Sequence, residues 1–261
     1  MLEIGNETLI LTHDAIVEGV HVREDEDPAD IAWKLVAVNL SDLAAKGAEP
    51  VGVLISHMLG DGDARFVEGL AEVLGTFNVP LLGGDTVCGI ATRSWGCTAI
   101  GRASHIPVPD RRGARPGDAI YITGVLGRAM LGMEERGSRS EHDLAYRRPS
   151  PLVREGQALA PHVTAMMDIS DGLLLDAYRM AEASRVSFAF DSAAAPVADS
   201  GRRRECLTWG DDYQLLFTAL PDATLPVPAT RVGRVDDKGE APLILDEMPI
   251  NTRAGLGYAH Q

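Results

Sequence analysis

Cysteine is scarce in this chain, with only three among its 261 residues. Cys88, Cys97 and Cys206 form no Cys-x-x-Cys pair, so the sequence indicates neither a disulfide framework nor a zinc ribbon. No run approaches the ~18 consecutive apolar residues of a membrane helix, and the first residues lack a signal-peptide pattern. We therefore expect a cytoplasmic protein without a membrane partner.

Basic residues are also in short supply, because 24 Lys and Arg face 38 Asp and Glu, a formal net charge of −14. The electrostatic field of so negatively charged a protein repels polyanions, which argues against a nucleic-acid partner. The sequence contains no GxxxxGK[ST] loop, no HRD or DFG set, no GxSxG elbow and no HExxH helix. Any phosphate site therefore uses neither a P-loop nor a protein-kinase architecture.

Strand-like and helix-like segments alternate along both halves of the chain. The predicted strands are 8–12, 51–58, 79–82, 94–102, 119–123, 187–190, 215–218 and 230–235; the predicted helices are 28–46, 63–77, 151–160 and 171–184. Proline, glycine and arginine cluster at residues 107–117, which is typical of a domain boundary. We therefore predict an α/β fold of the α+β type with two domains, residues 1–110 and 111–261.

A carboxylate falls on the buried face of the first predicted helix. Ile31, Leu35 and Val38 recur at helical spacing, and Asp42 follows Ile31 by eleven residues, which returns it to within about 20° of the same face. Burying a carboxylate is unfavourable unless a partner satisfies it. Asp42 is therefore either a hydrogen-bonded core aspartate or a metal ligand, and the spacing leaves both possibilities open.

Three further acids follow predicted strands, where open α/β folds bind their ligands. Asp14, Asp85 and Asp168 each come directly after an apolar run, and Gly83-Gly84 would let backbone approach a phosphate. Taken singly, each acid could be a helix N-cap or an Asx-turn, and Asp171 is a plausible N-cap as well. Together with Asp42 they indicate a Mg²⁺ site, because Mg²⁺ bridges carboxylates to substrate phosphates.

Several sequence strings carry a resemblance to a known family. They are residues 12–14, 17–21, 39–45, 83–86, 113–118, 168–173 and 210–213, which read THD, VEGVH, NLSDLAA, GGDT, GARPGD, DISDGL and GDDY. In this order and over nearly the whole chain, they closely resemble the thiamine-monophosphate kinase family. That family is a member of the aminoimidazole-ribonucleotide-synthetase-like ATP-binding superfamily.

The resemblance implies transfer of a phosphoryl group from ATP to thiamine monophosphate by direct in-line attack, with several Mg²⁺ ions. It also implies a homodimer paired through the N-terminal domains, which bind ATP and Mg²⁺, and an active site that the C-terminal domain completes. The implied metal ligands are Thr12, His13, Asp14, Asp42, Asp85, Asp168 and Asp171. The implied ATP contacts are Phe77, Gly84, Asp85, Arg111 and Ser170. The implied substrate contacts are His21, Gln214 and Tyr258, and the catalytic residues are Asp42, Asp85 and Asp171.

The chain departs from the family pattern at several positions. His13 stands where the family has a hydroxyl residue, Gln214 replaces a glutamate, and Phe77 replaces a tyrosine. The family's Gly-Asp-Asp-Ala-type segment lies before the position of Thr8, which only seven residues precede here. That segment is either outside the given sequence or dispensable. Two other functions stay open: a non-catalytic protein that binds nucleotide or thiamine phosphate, and a related enzyme that uses ATP on a different small metabolite.

Overall fold

The N-terminal half forms a sheet covered by helices on one face. The computed structural model describes residues 1–89 and 92–259. In chain order this half contains β1 (Leu2–Ile4), β2 (Glu7–Val17), α1 (Pro28–Ala44), β3 (Ala48–Leu59), α2 (Asp63–Phe77), β4 (Leu81–Cys88) and β5 (Ser94–Ala103). The strands pair in the order β1-β2-β5-β3-β4, and both helices pack on the same face of the sheet.

The C-terminal half builds a second sheet. Its elements are β6 (Ala119–Ile122), α3 (Arg128–Glu134), α4 (Glu141–Arg147), α5 (Val153–Leu159), β7 (Ala165–Asp168), α6 (Leu173–Ser184), β8 (Ser187–Phe190), α7 (Arg203–Thr208), β9 (Leu215–Ala219), β10 (Thr230–Asp236), β11 (Leu243–Leu245) and β12 (Met248–Ile250). The strand order is β12-β11-β8-β10-β6-β9-β7, and α6 packs on this sheet. The predicted α/β fold with two sheet-and-helix units is confirmed. No helix in the described ranges is long and apolar enough to cross a membrane.

Helix α1 connects the two halves. It begins at Pro28, where Asp27 caps it by accepting a hydrogen bond from the Ala29 N–H at 3.0 Å. One side of the helix packs on the first sheet. At its end, Ala44 and Ala45 join an apolar cluster with residues of β6, β7 and β9. Since α1 contacts both sheets, it fixes the cleft between them.

The register corrects one expectation about the acids. Asp14 lies inside β2 and Asp85 lies inside β4, so only Asp168 is found at the end of its strand. β4 continues through the glycine pair because a side chain on Gly84 would come within 2.1 Å of the Ile55 carbonyl oxygen. The glycine therefore permits close strand pairing, where the sequence suggested the end of a strand.

Candidate active site

A cavity of about 720 Å³ lies where the two halves meet. Its walls come from β2 and α1 on one side, and from the β7–α6 turn, α4 and the segment after α7 on the other. The predicted site residues that line it are Asp14, His21, Asp42, Asp168, Ser170, Asp171 and Tyr258. The fold thus brings together site residues that are distant in sequence.

Asp14 and Asp42 form the N-terminal part of an acidic wall. The Thr12 hydroxyl donates a hydrogen bond to the Asp42 carboxylate, and Asn39 Oδ1 accepts one from the Asp14 backbone N–H at 3.0 Å. Burial and the adjacent Asp42 carboxylate raise the pKa of Asp14 to about 6. Asp42 therefore has the polar partner expected of a core aspartate and also faces the cavity, as a metal ligand must.

Asp168 extends the acidic wall from the C-terminal half. The Ser41 hydroxyl donates to Asp168 Oδ2 at 2.6 Å, which ties β7 to α1. Asp168 is only 6% exposed, and burial together with the negative charge of Asp42 raises its pKa well above the usual range. Carboxylates from both halves thus repel one another across the cleft, and a bound cation would relieve that repulsion.

The turn after β7 carries Ser170 and Asp171 to the same wall. Their backbone N–H groups donate to Asp176 Oδ2 at 3.1 and 3.0 Å, so Asp176 fixes the shape of the turn. Arg179 donates to the carboxylates of Asp171 and Asp176. The Asp171 side chain is therefore held in place by α6 at the edge of the cavity.

The donors of this wall fit Mg²⁺ in their chemistry. Among the described residues, no three His, Cys, Asp or Glu side chains lie close enough together to hold a metal ion unaided. Mg²⁺ usually binds one or two carboxylates and completes its shell with substrate phosphates and water. Pairs such as Asp14 with Asp42 supply hard oxygen donors and excess negative charge, which suits an ion shared with a phosphate ligand.

Aromatic side chains also line the cavity, and a buried ion pair lies beside them. Lys34, only 1% exposed, donates from Nζ to Asp211 Oδ2 and to the His21 carbonyl oxygen. Its ammonium lies 4.1 Å from the centre of the Tyr146 ring, and Tyr213 donates its hydroxyl to Asp211 Oδ1 at 2.9 Å. This pair joins α1 to the segment after α7, so it holds the two walls of the cavity together.

Some predicted ligand residues lie elsewhere. His13 alternates with Asp14 along β2 and therefore faces the other side of the sheet, where its Nδ1 is 2.9 Å from Thr98 Oγ1. Asp85 pairs with Ser56 on the edge strand β4 and is exposed on that same side. Thr12 does not line the cavity but supports Asp42. Within one chain, His13 and Asp85 are thus separated from the acidic wall by the sheet.

Four predicted nucleotide or substrate residues are also outside the cavity lining. Phe77 packs edge-on against Trp33 with ring centroids 5.9 Å apart, and Gly84 lies in the interior of β4. Arg111 is exposed in the connection between the sheets. Gln214 accepts a hydrogen bond from the Thr123 hydroxyl at 3.0 Å, so its amide is directed towards β6.

The sequence did not indicate several residues that line the cavity or support its lining. Lys34 lies three residues after Ile31 on the buried side of α1, and a lysine at such a position signals an internal partner. Asp211 belongs to the string GDDY, which contributes to the family resemblance, but its pairing with Lys34 depends on the fold. Tyr146 and Trp209 occur in segments without periodicity, so no local signal indicated that they reach the cavity.

Both halves match models of a known protein family. The N-terminal domain of AIR synthase related protein matches residues 1–103, and its C-terminal domain matches residues 115–244. The thiamine-monophosphate kinase of Escherichia coli K12 is 35% identical over 289 aligned residues, covering 97% of this chain and 87% of that protein. The Salmonella typhimurium enzyme is 34% identical with the same coverage.

Solved structures agree with the sequence matches. AaThiL complexed with AMPPCP and TMP superposes with a TM-score of 0.87 at 28% identity, covering 96% of this chain and 87% of that one. The thiamine-monophosphate kinase of Stenotrophomonas maltophilia K279a gives a TM-score of 0.85 at 31% identity, covering 94% and 87%. With both domains matched and relatives above 30% identity along almost its whole length, the chain belongs to the thiamine-monophosphate kinase family of phosphotransferases.

Proposed function

We propose that this protein transfers the γ-phosphoryl group of ATP to thiamine monophosphate, giving thiamine diphosphate and ADP. The observation that carries the proposal is the cavity, whose lining combines a wall of carboxylates with aromatic side chains. A substrate that combines a phosphate group with planar rings matches this lining. The AaThiL complex with AMPPCP and TMP, in a protein of the same fold, supports the choice of both substrates.

We propose Mg²⁺ as the cofactor, held by the acidic wall together with the substrate phosphates. Asp14, Asp42 and Asp168 would provide carboxylate oxygens, with Asp171 at the edge of the cavity. When bound, the ion supplies charge neutralisation for the transferred phosphoryl group and makes phosphate binding compatible with an acidic protein. A protonated carboxyl group cannot serve as a metal ligand. Because burial raises the pKa of Asp14 and Asp168, ion binding would also release protons from them.

The chain's own residues position two anionic substrates. The acceptor oxygen belongs to a phosphate, so no strong base is needed, and in-line geometry is the main requirement. The acceptor phosphate oxygen bonds to the γ-phosphorus as the bond to the ADP oxygen breaks. Arg179 and Asp176 hold Asp171 and its turn rigid, while Ser41 and Thr12 orient Asp168 and Asp42. These contacts keep the acidic wall in place during the transfer.

We further propose a homodimer formed through the uncovered face of the first sheet. Leu11, Leu54, Leu82 and Val87 lie on that face, and between 39% and 52% of each residue is exposed. A second copy of this chain, pairing through the same face, would bury this apolar surface. Asp85 and His13 also lie on this face, so pairing would bring these two predicted ligands to the interface. We also propose that the chain divides into two domains, residues 1–110 and 111–261, and that the protein is cytoplasmic.

The direct test is an assay for thiamine diphosphate with ATP, Mg²⁺ and thiamine monophosphate, against an EDTA-treated control. Asp42→Asn should lower kcat about 100-fold or more, because it removes one anionic donor from the wall. Asp222→Asn is the matched control, since Asp222 is exposed and outside the cavity. It should leave activity within twofold.

The other two functions give different results. ADP formation without thiamine diphosphate would indicate a different acceptor. Ligand-dependent thermal stabilisation without turnover would indicate a binding protein. Full activity of Asp42→Asn would show that the assigned acidic wall is wrong.

A further inference from the structure

Trp209 is an exposed tryptophan inside a cavity. It lies at the C-terminal end of α7 and lines the cavity, yet 40% of its surface is accessible. The other two tryptophans are placed differently: Trp95 is buried in the first sheet, and Trp33 donates its indole N–H to the Pro149 carbonyl oxygen at 3.0 Å. Trp209 is therefore the tryptophan with apolar surface available to a ligand in this cavity.

The backbone on both sides of Trp209 is held in place. Trp209 N–H donates to the Glu205 carbonyl oxygen at 2.9 Å, and Asp211 N–H donates to the Ser170 carbonyl oxygen at 2.8 Å. Gly210, at φ 92°, packs so closely on the Ser170–Asp171 turn that an added Cβ would lie 2.4 Å from the Ser170 carbonyl oxygen. The backbone that carries the indole is thus fixed relative to the acidic wall, so little backbone entropy is lost when a ligand packs on Trp209.

Tyr146, one of the other aromatic residues that line the cavity, is already engaged with two cations. Tyr146 has the Arg23 guanidinium 5.0 Å and the Lys34 ammonium 4.1 Å from its ring centroid. Within the described part of the chain, no aromatic ring stacks on Trp209 and no side chain bonds its indole N–H. An accessible indole of this kind is suited to a planar ring.

Two carboxylates lie beside Trp209, and each is paired with a cation, Glu205 with Arg202 and Asp211 with Lys34. Both carboxylate residues line the cavity with Trp209. Hydrogen bonding from Arg202 lowers the pKa of Glu205, so this carboxylate is ionised at neutral pH. These pairs leave no net positive charge beside the indole, so a positively charged planar ring can be attracted by the indole face without being repelled there.

We propose that Trp209 is a specificity-determining residue that stacks on the cationic ring of the acceptor substrate. The inference rests on the proposed function, in which that ring is the thiazolium of thiamine monophosphate. Trp209 selects the acceptor by its planar cation, while the acidic wall handles its phosphate. The residue therefore acts on acceptor affinity and has little effect on ATP.

Tryptophan fluorescence provides a readout that does not depend on turnover. Thiamine monophosphate is titrated, with Mg²⁺ present, into the full chain and into Trp209→Ala, Trp209→Phe and Trp33→Phe. Trp33 does not line the cavity, so Trp33→Phe is the matched control. We expect ligand-dependent quenching in the parent and in Trp33→Phe, and its loss in both Trp209 variants.

Calorimetry and kinetics then measure the size of the effect. Trp209→Ala should raise Kd and KM for thiamine monophosphate about 10-fold, with KM for ATP within twofold. Trp209→Phe keeps an aromatic face and should stay within about threefold of the parent. A neutral thiazole phosphate should bind weakly, and its Kd should change less than threefold on Trp209→Ala.

The outcomes separate this inference from the proposed function. Thiamine diphosphate formation with unchanged KM for thiamine monophosphate in Trp209→Ala would overturn the inference alone. Quenching that depends on Trp209, without any thiamine diphosphate, would uphold the inference and overturn the function. An equal 10-fold loss for the neutral thiazole phosphate would overturn the requirement for a cationic ring. A parent chain that binds no thiamine monophosphate would overturn both.

Discussion

At the scale of single residues, the carboxylates of the acidic wall are unfavourable for the stability of the folded chain, because they are buried close to one another. Asp14, Asp42 and Asp168 come from three elements in both halves, and burial and mutual repulsion raise the pKa of Asp14 and of Asp168. Core packing alone would favour apolar side chains at such positions. Perturbed carboxylates that converge on a cavity are therefore better explained by a bound cation than by the fold.

This repulsion makes the stability of the metal-free protein depend on pH. The pKa of Asp14 rises from the ordinary 3.8 to about 6, so between these values the native state holds a proton that the unfolded chain has lost. The free energy of unfolding contributed by this group therefore falls as pH rises from about 4 to about 6. The Asp14→Asn variant lacks this titrating group, so its free energy of unfolding should fall less across that pH window.

Urea unfolding at pH 4.5 and 7 in EDTA measures the difference. Asp222→Asn, which changes an exposed aspartate, should decline as the parent does. Added Mg²⁺ should stabilise the parent more at pH 7 than at pH 4.5, because protons compete with the ion for the carboxylates. Equal pH dependence in Asp14→Asn and the parent would show that Asp14 is not perturbed in the folded chain.

At the scale of elements, the long periodic segments were predictable, whereas several of the short ones were not. The predicted helix 63–77 matches α2 (Asp63–Phe77), because its apolar positions repeat over four turns and Asn78 ends it in the left-handed region. Four of the described helices have only six or seven residues and little recognisable period: α5 was predicted, as residues 151–160, whereas α3, α4 and α7 were not. Strands β1, β11 and β12 have three residues each and were missed for the same reason.

The candidate site was predictable only in part, for a related reason. Motifs identified the acids, but which side of a sheet a side chain faces is set by pairing with distant strands. His13 and Asp14 are adjacent in sequence and point to opposite faces of β2. The direction of Gln214 is likewise decided by Thr123, 91 residues away. Local patterns contain no information about such long-range partners.

Helix α1 also depends on a buried charge at its start. Asp30 is 3% exposed and accepts hydrogen bonds from Arg147 and Arg148, which join α1 to the end of α4. Removing this carboxylate leaves two partly buried guanidinium groups short of a partner. Asp30→Ala should therefore lower the free energy of unfolding by about 3 kcal/mol, measured by urea denaturation.

The matched control is Glu68→Gln, which removes a carboxylate from an exposed pair with Arg65. Because water already solvates that pair, the urea midpoint should stay unchanged within error. If Asp30→Ala were as stable to urea as Glu68→Gln, the link between α1 and α4 would contribute nothing to the free energy of unfolding.

At the scale of the whole molecule, the two faces of the first sheet have different roles. One face packs on α1 and α2 and presents Asp14 to the cavity. The other presents apolar residues, together with Asp85 and His13, to solvent. The proposed two-fold assembly through the second face would account for its apolar character and for two predicted ligands on the side of the sheet away from the acidic wall.

The assembly can be tested with one substitution in the middle of that face. Leu54 lies on β3, between β5 and β4, and 39% of it is exposed. Leu54→Arg should convert a dimer into a monomer, as measured by size-exclusion chromatography with light scattering, because it places a charge in a desolvated apolar contact. Leu220→Arg, at a residue 66% exposed in the other half, should leave the mass unchanged.

Activity of the same variants tests what pairing contributes to the reaction. If Asp85 acts at the interface, monomeric Leu54→Arg should lose activity to about the extent of Asp85→Asn, and the double variant should be no worse than either. A Leu54→Arg protein that stays dimeric would show that the pairing face lies elsewhere. A fully active monomer would show that each chain completes its own site and that Asp85 has no role across the interface.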